Sequence, residues 1–457
     1  MAAVATKAPA RGLDPTFSND GISIAPAAGK GADATVSQLA RRPDGGWVVA
    51  GYTRVETERT FQLPLWSIAA YTADGQPDKR FGRNGRILRA DPGGLASLDG
   101  AEPPVVAVQR DGKILVAGLV NDVSDKERDS YLDEDCDCVA YLAALLVVRY
   151  RTDGKLDRSF GHDGKALVRG LTKTATENGF PGALRRLVID RAGRITIVGD
   201  TTYLWTKNGA EDGDQSRLIA YRLTGKGKLD RSFGNRGRVL HKLGSGTTNF
   251  FPDQVRALPD GRVVVAGGAQ RYVKRSWQAG VGRTILPRSG KLDAASDWIA
   301  YPFGKGEVST SSVDIASDGK IVVMARRERD TGPANDAPYS SVVARFSARG
   351  TLDTSFGSRG LLDLTSTAGF TFDATPIVRA LPGGSVSAVM GIGDEAVGIV
   401  DISANGTPSA PVPLAFPLAA SEELSISDVV AHGSHLILAG TNRVKEQQRV
   451  FLARFRQ

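Results

Sequence analysis

Eight acidic side chains crowd one short stretch of this chain: Asp122, Asp125, Glu127, Asp129, Asp133, Glu134, Asp135 and Asp137. Carboxylates at that density can replace the water shell of a hard cation such as calcium, and Asp129, Asp133, Asp135 and Asp137 are the candidate ligands. The spacing does not follow an EF-hand loop, and Lys126 and Arg128 dilute the charge. A solvated acidic loop is therefore the favoured reading, with calcium as the alternative, and no cofactor is assigned.

A second constellation combines aromatic and basic side chains. Tyr203 and Trp205 adjoin Lys207; Tyr272 and Trp277 flank Lys274 and Arg275; Arg327 lies in a further basic stretch with Arg326 and Arg329. Exposed aromatic rings interleaved with cations suit a protein partner or a sugar polymer. The same rings would equally serve to anchor their own loops from beneath.

Motifs for catalysis are sparse. The histidines, His162, His241, His432 and His435, do not take the spacing of a zinc site, and there is no Walker loop, Gly-x-Ser-x-Gly elbow or His-Glu-x-x-His. Cys136 and Cys138 stand one residue apart, too close for an unstrained bridge. They read as two unpaired loop thiols, with a strained disulfide or part of a metal site as the alternatives. The net charge of +8 permits acidic partners, but the 58 Lys and Arg are spread along the whole chain, which disfavours nucleic acid. The longest apolar run, Ala140 to Val148, has the length of a strand, so no membrane insertion is expected. Residues 1–11 lack the apolar segment of a signal peptide, as would a chain whose leader had been removed.

The elements that must position these residues are announced by repetition. A turn on Gly followed by a short apolar run occurs seven times, as in Asp44-Gly45-Gly46-Trp47-Val48-Val49-Ala50-Gly51 and Asp111-Gly112-Lys113-Ile114-Leu115-Val116-Ala117-Gly118. The turn supplies the positive φ of a tight hairpin, and the strand after it is apolar on both faces, so it must be covered from both sides. A second phrase, Leu-Asp-x-x-Phe-Gly-x-x-Gly, follows at variable distance: Leu156 to Gly164, Leu229 to Gly237 and Leu352 to Gly360, with near copies at Leu13 to Gly21 and Pro77 to Gly85. Its Asp can close an Asx turn, its Phe can fill a crevice and its glycines can take positive φ, all structural duties. Residues repeated in four or five units serve the fold, which removes Asp157, Asp230 and Asp353 from the catalytic candidates.

Two phrases per unit give about four strands per unit, the make-up of one propeller blade. The sequence thus predicts an all-β, seven-bladed β-propeller of four-stranded antiparallel blades, one domain over residues 1–457. The two phrases resemble the consensus of bacterial delta-60 repeat proteins, strongly in units two to four and more weakly in units five to seven. That resemblance implies a bacterial propeller at the cell surface or exported, and no particular reaction.

The chain ends on Val450-Phe451-Leu452-Ala453-Arg454-Phe455, which matches a third strand, and begins on the turn that should follow it. Residues 13–25 are therefore expected to supply the outer strand of the last blade and close the ring, with residues 1–12 flexible. Both repeated turns lie on one face of such a ring. The opposite face collects the irregular links, including 53–65, 120–141, 201–217 and 268–280, and function is expected on variable loops carried by a rigid scaffold. The expected role is a non-enzymatic binding or scaffold module that recognises a protein or polysaccharide through this long-loop face, using Tyr203, Trp205, Lys207, Tyr272, Lys274, Arg275, Trp277 and Arg327. The alternative is a hydrolase or lyase at the mouth of the central channel, for which the discriminating feature is a pocket lined by several convergent polar side chains.

Overall fold

The computed structural model describes residues 12–25, 33–55, 63–89, 104–121, 143–169, 180–207, 210–243, 249–273, 276–292, 297–303, 308–328, 339–364, 376–392, 396–413, 423–444 and 447–456. They form seven four-stranded antiparallel sheets. After β1 (Ile22–Ile24), blade I comprises β2 (Asp33–Arg41), β3 (Trp47–Val55), β4 (Leu63–Tyr71) and β5 (Arg86–Arg89), and blade II β6 (Val105–Val108), β7 (Ile114–Asn121), β8 (Ala143–Tyr150) and β9 (Lys165–Val168). Blade III is β10 (Phe180–Ile189), β11 (Ile195–Lys207), β12 (Ala210–Leu223) and β13 (Arg238–His241); blade IV is β14 (Asn249–Ala257), β15 (Val263–Val273), β16 (Ser276–Leu286) and β17 (Trp298–Ala300). Blade V is β18 (Val308–Ile315), β19 (Ile321–Glu328), β20 (Tyr339–Phe346) and β21 (Leu361–Asp363), and blade VI is β22 (Ile377–Ala380), β23 (Val386–Ile392), β24 (Ala396–Ile402) and β25 (Val412–Pro413).

Blade VII is β26 (Glu423–His432), β27 (His435–Val444) and β28 (Gln447–Arg456), completed on its outer edge by β1. Ile22 pairs with Ala453 and Ile24 with Phe451, and Leu13 bridges to Phe455, so the expected closure of the ring is observed. Pairing the first strand with the last covers an edge that would otherwise offer unpaired backbone groups to a second molecule.

Seven apolar clusters form, one at each junction between neighbouring blades. Val48, Trp66, Val116 and Leu146 join blades I and II, for example, and Trp47, Val49, Ala439 and Leu452 join blades VII and I. The second strands are apolar on both faces because each is packed between two blades; Leu115 and Val116 are fully buried although their side chains point opposite ways. A ring of repeated interfaces thus replaces the single core that a chain of this length could not build.

The second phrase clips each blade to the next. Phe160 of blade II lies under the Gly227 turn of blade III, where an added Cβ would sit 3.0 Å from the ring, and Gly161 N–H donates to the Lys226 carbonyl at 2.8 Å. The same contact recurs between Phe233 and Gly290, and between Phe17 and Gly75. Blade IV keeps only the opening Leu292-Asp293 of the phrase, and Trp298 fills the crevice instead, 2.4 Å from a Cβ placed on Gly350.

Candidate functional site

The first strands of consecutive blades lie against one another around the central channel, and six of them turn a polar side chain into it. In the hairpin-side half of these strands a cavity of about 300 Å³ is lined by Gln38 of β2, Arg186 of β10, Gln254 of β14, Asp314 of β18, Arg379 of β22 and Asp428 of β26, with Leu39, Val188 and Val430 among the apolar walls. Six blades thus contribute one polar group each. A β-bulge in β2, β10, β14 and β26 sits immediately before Gln38, Arg186, Gln254 and Asp428 and sets the direction of those side chains.

One layer of this cluster clips blade to blade. Gln38 Oε1 accepts Val106 N–H at 2.7 Å, Asp253 Oδ2 accepts Val313 N–H at 2.6 Å, Asp314 Oδ2 accepts Ala380 N–H at 2.8 Å, and Asp428 Oδ2 accepts Leu39 N–H at 2.9 Å. Gln38 performs this duty with a neutral side chain. The clip itself therefore does not require the charges of Asp253, Asp314 and Asp428, whose removal from water is costly.

The charges instead answer two arginines. Arg379 is fully committed, donating from Nη2 to Asp428 Oδ1 at 2.8 Å, from Nη1 to the Val378 carbonyl at 2.7 Å, and from Nε to the Val429 carbonyl. Arg186 is held more loosely. Its Nε lies 3.3 Å from the Asp253 carbonyl and its Nη1 3.4 Å from Asp428 Oδ2, across the ring from blade VII, while Nη2 bonds to none of the described residues. Burial disfavours the Asp428 charge, but Arg186 and Arg379 outweigh it and hold the carboxyl below its ordinary range. For Asp253 and Asp314 burial wins over the same arginines and pushes both carboxyls up. The cavity therefore carries a locked carboxylate, Asp428, and a second carboxyl, Asp314, whose ionisation burial opposes, the division of roles on which acid–base chemistry depends.

The sequence-predicted site residues fall elsewhere. Tyr203, Trp205 and Lys207 are not in a loop: they extend β11, which pairs with β12 through Tyr203↔Gln215 and Lys207↔Ala210, with a bulge at Trp205. Tyr272 pairs in register with Trp277 between β15 and β16, and Tyr272 is 56% exposed; Lys274 and Arg275 lie outside the described residues. The links expected between strands two and three of blades III and IV are thus long hairpins, because alternating β-branched and aromatic residues continue the ladder past the sheet. Arg327 sits in β19 between Val308 and Ser340. Among the residues whose side chains are described, those that line the channel cavity are different ones. Asp129, Asp133, Asp135 and Asp137, with Cys136 and Cys138, lie outside the described residues. Among the described residues no group of three or more His, Cys, Asp and Glu is arranged to hold a metal ion, and no helix is long and apolar enough to cross a membrane. His432 and His435 pair across the β26–β27 hairpin, where His435 meets Asp14 at 3.2 Å, and His241 meets Asp297 at 2.6 Å in another blade.

Sequence reasoning missed Arg186, Asp253, Asp314, Arg379 and Asp428. A signal existed. Gln38 and Arg186 each stand six residues ahead of the second residue of the hairpin phrase, Asp44 and Ala192, so the two polar residues share one position in the repeat.

A family model described as "Domain of unknown function (DUF5122) beta-propeller" matches residues 316–356, from the hairpin of blade V to its Phe-Gly turn, and supports a β-propeller family. No curated protein matches the chain in sequence. Among solved structures, the polysaccharide lyase Uly1 is similar in fold, with a TM-score of 0.52 at 11% identity over 90% of this chain and 88% of that one. An α-L-arabinofuranosidase from Fusarium graminearum aligns at 11% identity over 77% and 92% with a TM-score of 0.41. The β-propeller domain of the Trilobed protease from Pyrococcus furiosus aligns at 10% identity over 92% and 95% with a TM-score of 0.42. The expectation of a non-enzymatic binding or scaffold module working through the long-loop face is corrected here. The convergent polar cluster lies in the channel, and the propeller of TM-score 0.52 is a polysaccharide lyase.

Proposed function

We propose that the protein is a carbohydrate-cleaving enzyme of the acid–base kind, a glycoside hydrolase or polysaccharide lyase, with its site in the central channel. The observation that carries this reading is the convergence of Arg186, Arg379, Asp314 and Asp428 from four blades on one cavity, where neutral Gln38 does the same structural duty without a charge. Asp314 is the proton donor to the departing glycosidic oxygen, because its carboxyl lines the cavity and burial raises its affinity for a proton. Asp428 stays ionised and fixes both guanidinium groups. Arg186, with Nη2 uncommitted among the described residues, is the donor left to meet the ligand. A cavity of about 300 Å³ is at the small end for ligand sites, so it takes a sugar ring at a chain end in preference to a length of polymer. A role on extracellular polymer agrees with the exported or surface location implied by the resemblance to delta-60 repeat proteins.

The test is turnover on a panel of neutral and uronate-containing polysaccharides, read as new reducing ends and, for elimination, as the ultraviolet absorbance of an unsaturated uronate. Product release is expected, and Asp314→Asn is expected to lower kcat by roughly 10²-fold or more without loss of melting temperature. Absence of product from every polymer, or full activity in Asp314→Asn, overturns the proposal.

A further inference from the structure

The cavity lies in the half of the channel nearer the repeated turns, and this face has an unusual charge. Among the described residues of the first-to-second-strand hairpins and the third-to-fourth-strand turns, exposed Lys and Arg outnumber exposed Asp by more than two to one. The Asp residues that the turns do require are turned inward: Asp14, Asp78 and Asp157 are buried.

Two of the exposed cations are placed against the preference of the backbone. The second variable residue of Phe-Gly-x-x-Gly has positive φ: Asn84 at 53°, Asp163 at 50°, Arg236 at 51° and Arg359 at 56°. Asn and Asp tolerate that conformation because a short polar side chain can bond locally, whereas Arg has no such compensation. Blades III and V nevertheless carry Arg there, both exposed and neither in an ion pair with a described residue. Strain accepted at a solvent-facing position without a structural return points to use.

We propose that the turn face captures an acidic polysaccharide, with Arg236 and Arg359 as contact residues, and delivers it to the channel; the delivery rests on the reading given above, the capture does not. A nucleic acid fits the face less well. The aromatic residues of the turns, Phe17, Phe81, Phe160, Phe233 and Phe356, are all buried and offer no stacking platform, and the turns are too tight to enter a groove. Carboxylate or sulfate groups along a glycan need only well-spaced cations.

The experiment is binding of the whole protein to polygalacturonate, dextran sulfate, unmodified dextran and duplex DNA across a salt series. The parent is expected to retain both acidic glycans and not dextran. Arg236→Asn/Arg359→Asn is expected to bind them roughly threefold or more weakly, with a shallower salt dependence, while melting no lower than the parent. Arg236→Lys/Arg359→Lys restores the binding. Equal binding by the Asn double variant, equal retention of dextran, or DNA binding tighter than polygalacturonate overturns the proposal. Because capture is read without cleavage, Asp314→Asn is expected to bind like the parent. A turnover failure with capture intact therefore removes the enzyme reading and leaves this one standing.

Discussion

Aspartate and arginine meet in two regions of this molecule, with opposite electrostatic outcomes. Around the turn face, Arg149, Arg222, Arg345 and Arg454 of the third strands pair with Asp157, Asp230, Asp353 and Asp14, each at 2.8–2.9 Å, and each guanidinium lies over the Phe of the same phrase. Each Asp also accepts a backbone N–H two residues on, at 3.1–3.2 Å. There burial pushes the carboxyls up, but hydrogen bonds and neighbouring cations prevail, and all four are held low. In the channel the same residue types leave Asp253 and Asp314 raised. An ion pair that recurs from blade to blade is backed by the Asx turn and the ring of its own phrase and serves the fold. The one built only once, from strands of different blades, keeps carboxyls whose ionisation is opposed, as proton transfer requires.

The comparison is broken most directly by removing the anchor of the channel. Asp428→Ala leaves Arg186 and Arg379 with no carboxylate between them and is expected to cost about 3–5 kcal/mol in denaturant unfolding. Asp428→Asn, which keeps an acceptor for Leu39 N–H, is expected to cost clearly less.

A smaller effect is expected at the turn face, where the carboxyl of Asp78 is lowered to about 2, chiefly by the hydrogen bond from Arg80 with Arg42 behind it. A group with a depressed folded value contributes stability that is complete above the unfolded value of 3.8 and is lost as pH falls through the folded one. Asp78→Asn is therefore expected to destabilise by about 2 kcal/mol at neutral pH, and thermal melts of parent and variant converge as pH approaches 2.

Smallest, and opposite in sign, is the stability effect of Asp314→Asn. A carboxyl with a raised folded value favours the native state only below its unfolded value and loses that advantage as pH rises through the folded one. The Asn variant is expected to melt slightly above the parent at neutral pH, with the difference vanishing in acid. A variant that instead melts lower at neutral pH would place Asp314 with the structural aspartates of the turns.

Blade number, strand order and ring closure were legible in the sequence because each depends on local, repeated chemistry: an Asp-Gly hairpin, a strand apolar on both faces, a Phe-Gly turn. Asp157, Asp230 and Asp353, which repetition assigns to the fold, pair with third-strand arginines. Exposure and charge were not legible in the same way. Tyr203 and Trp205 looked like loop residues because a hairpin that continues past the sheet has the same composition as a link between strands. Arg186 and Asp428 stand 242 residues apart in the chain and meet only across the channel. No window along the sequence can hold that pair, because a propeller brings its inner strands together by closing a ring. The residue types on the first strands were thus determined by the sequence, and their convergence on one cavity was decided by the tertiary structure alone.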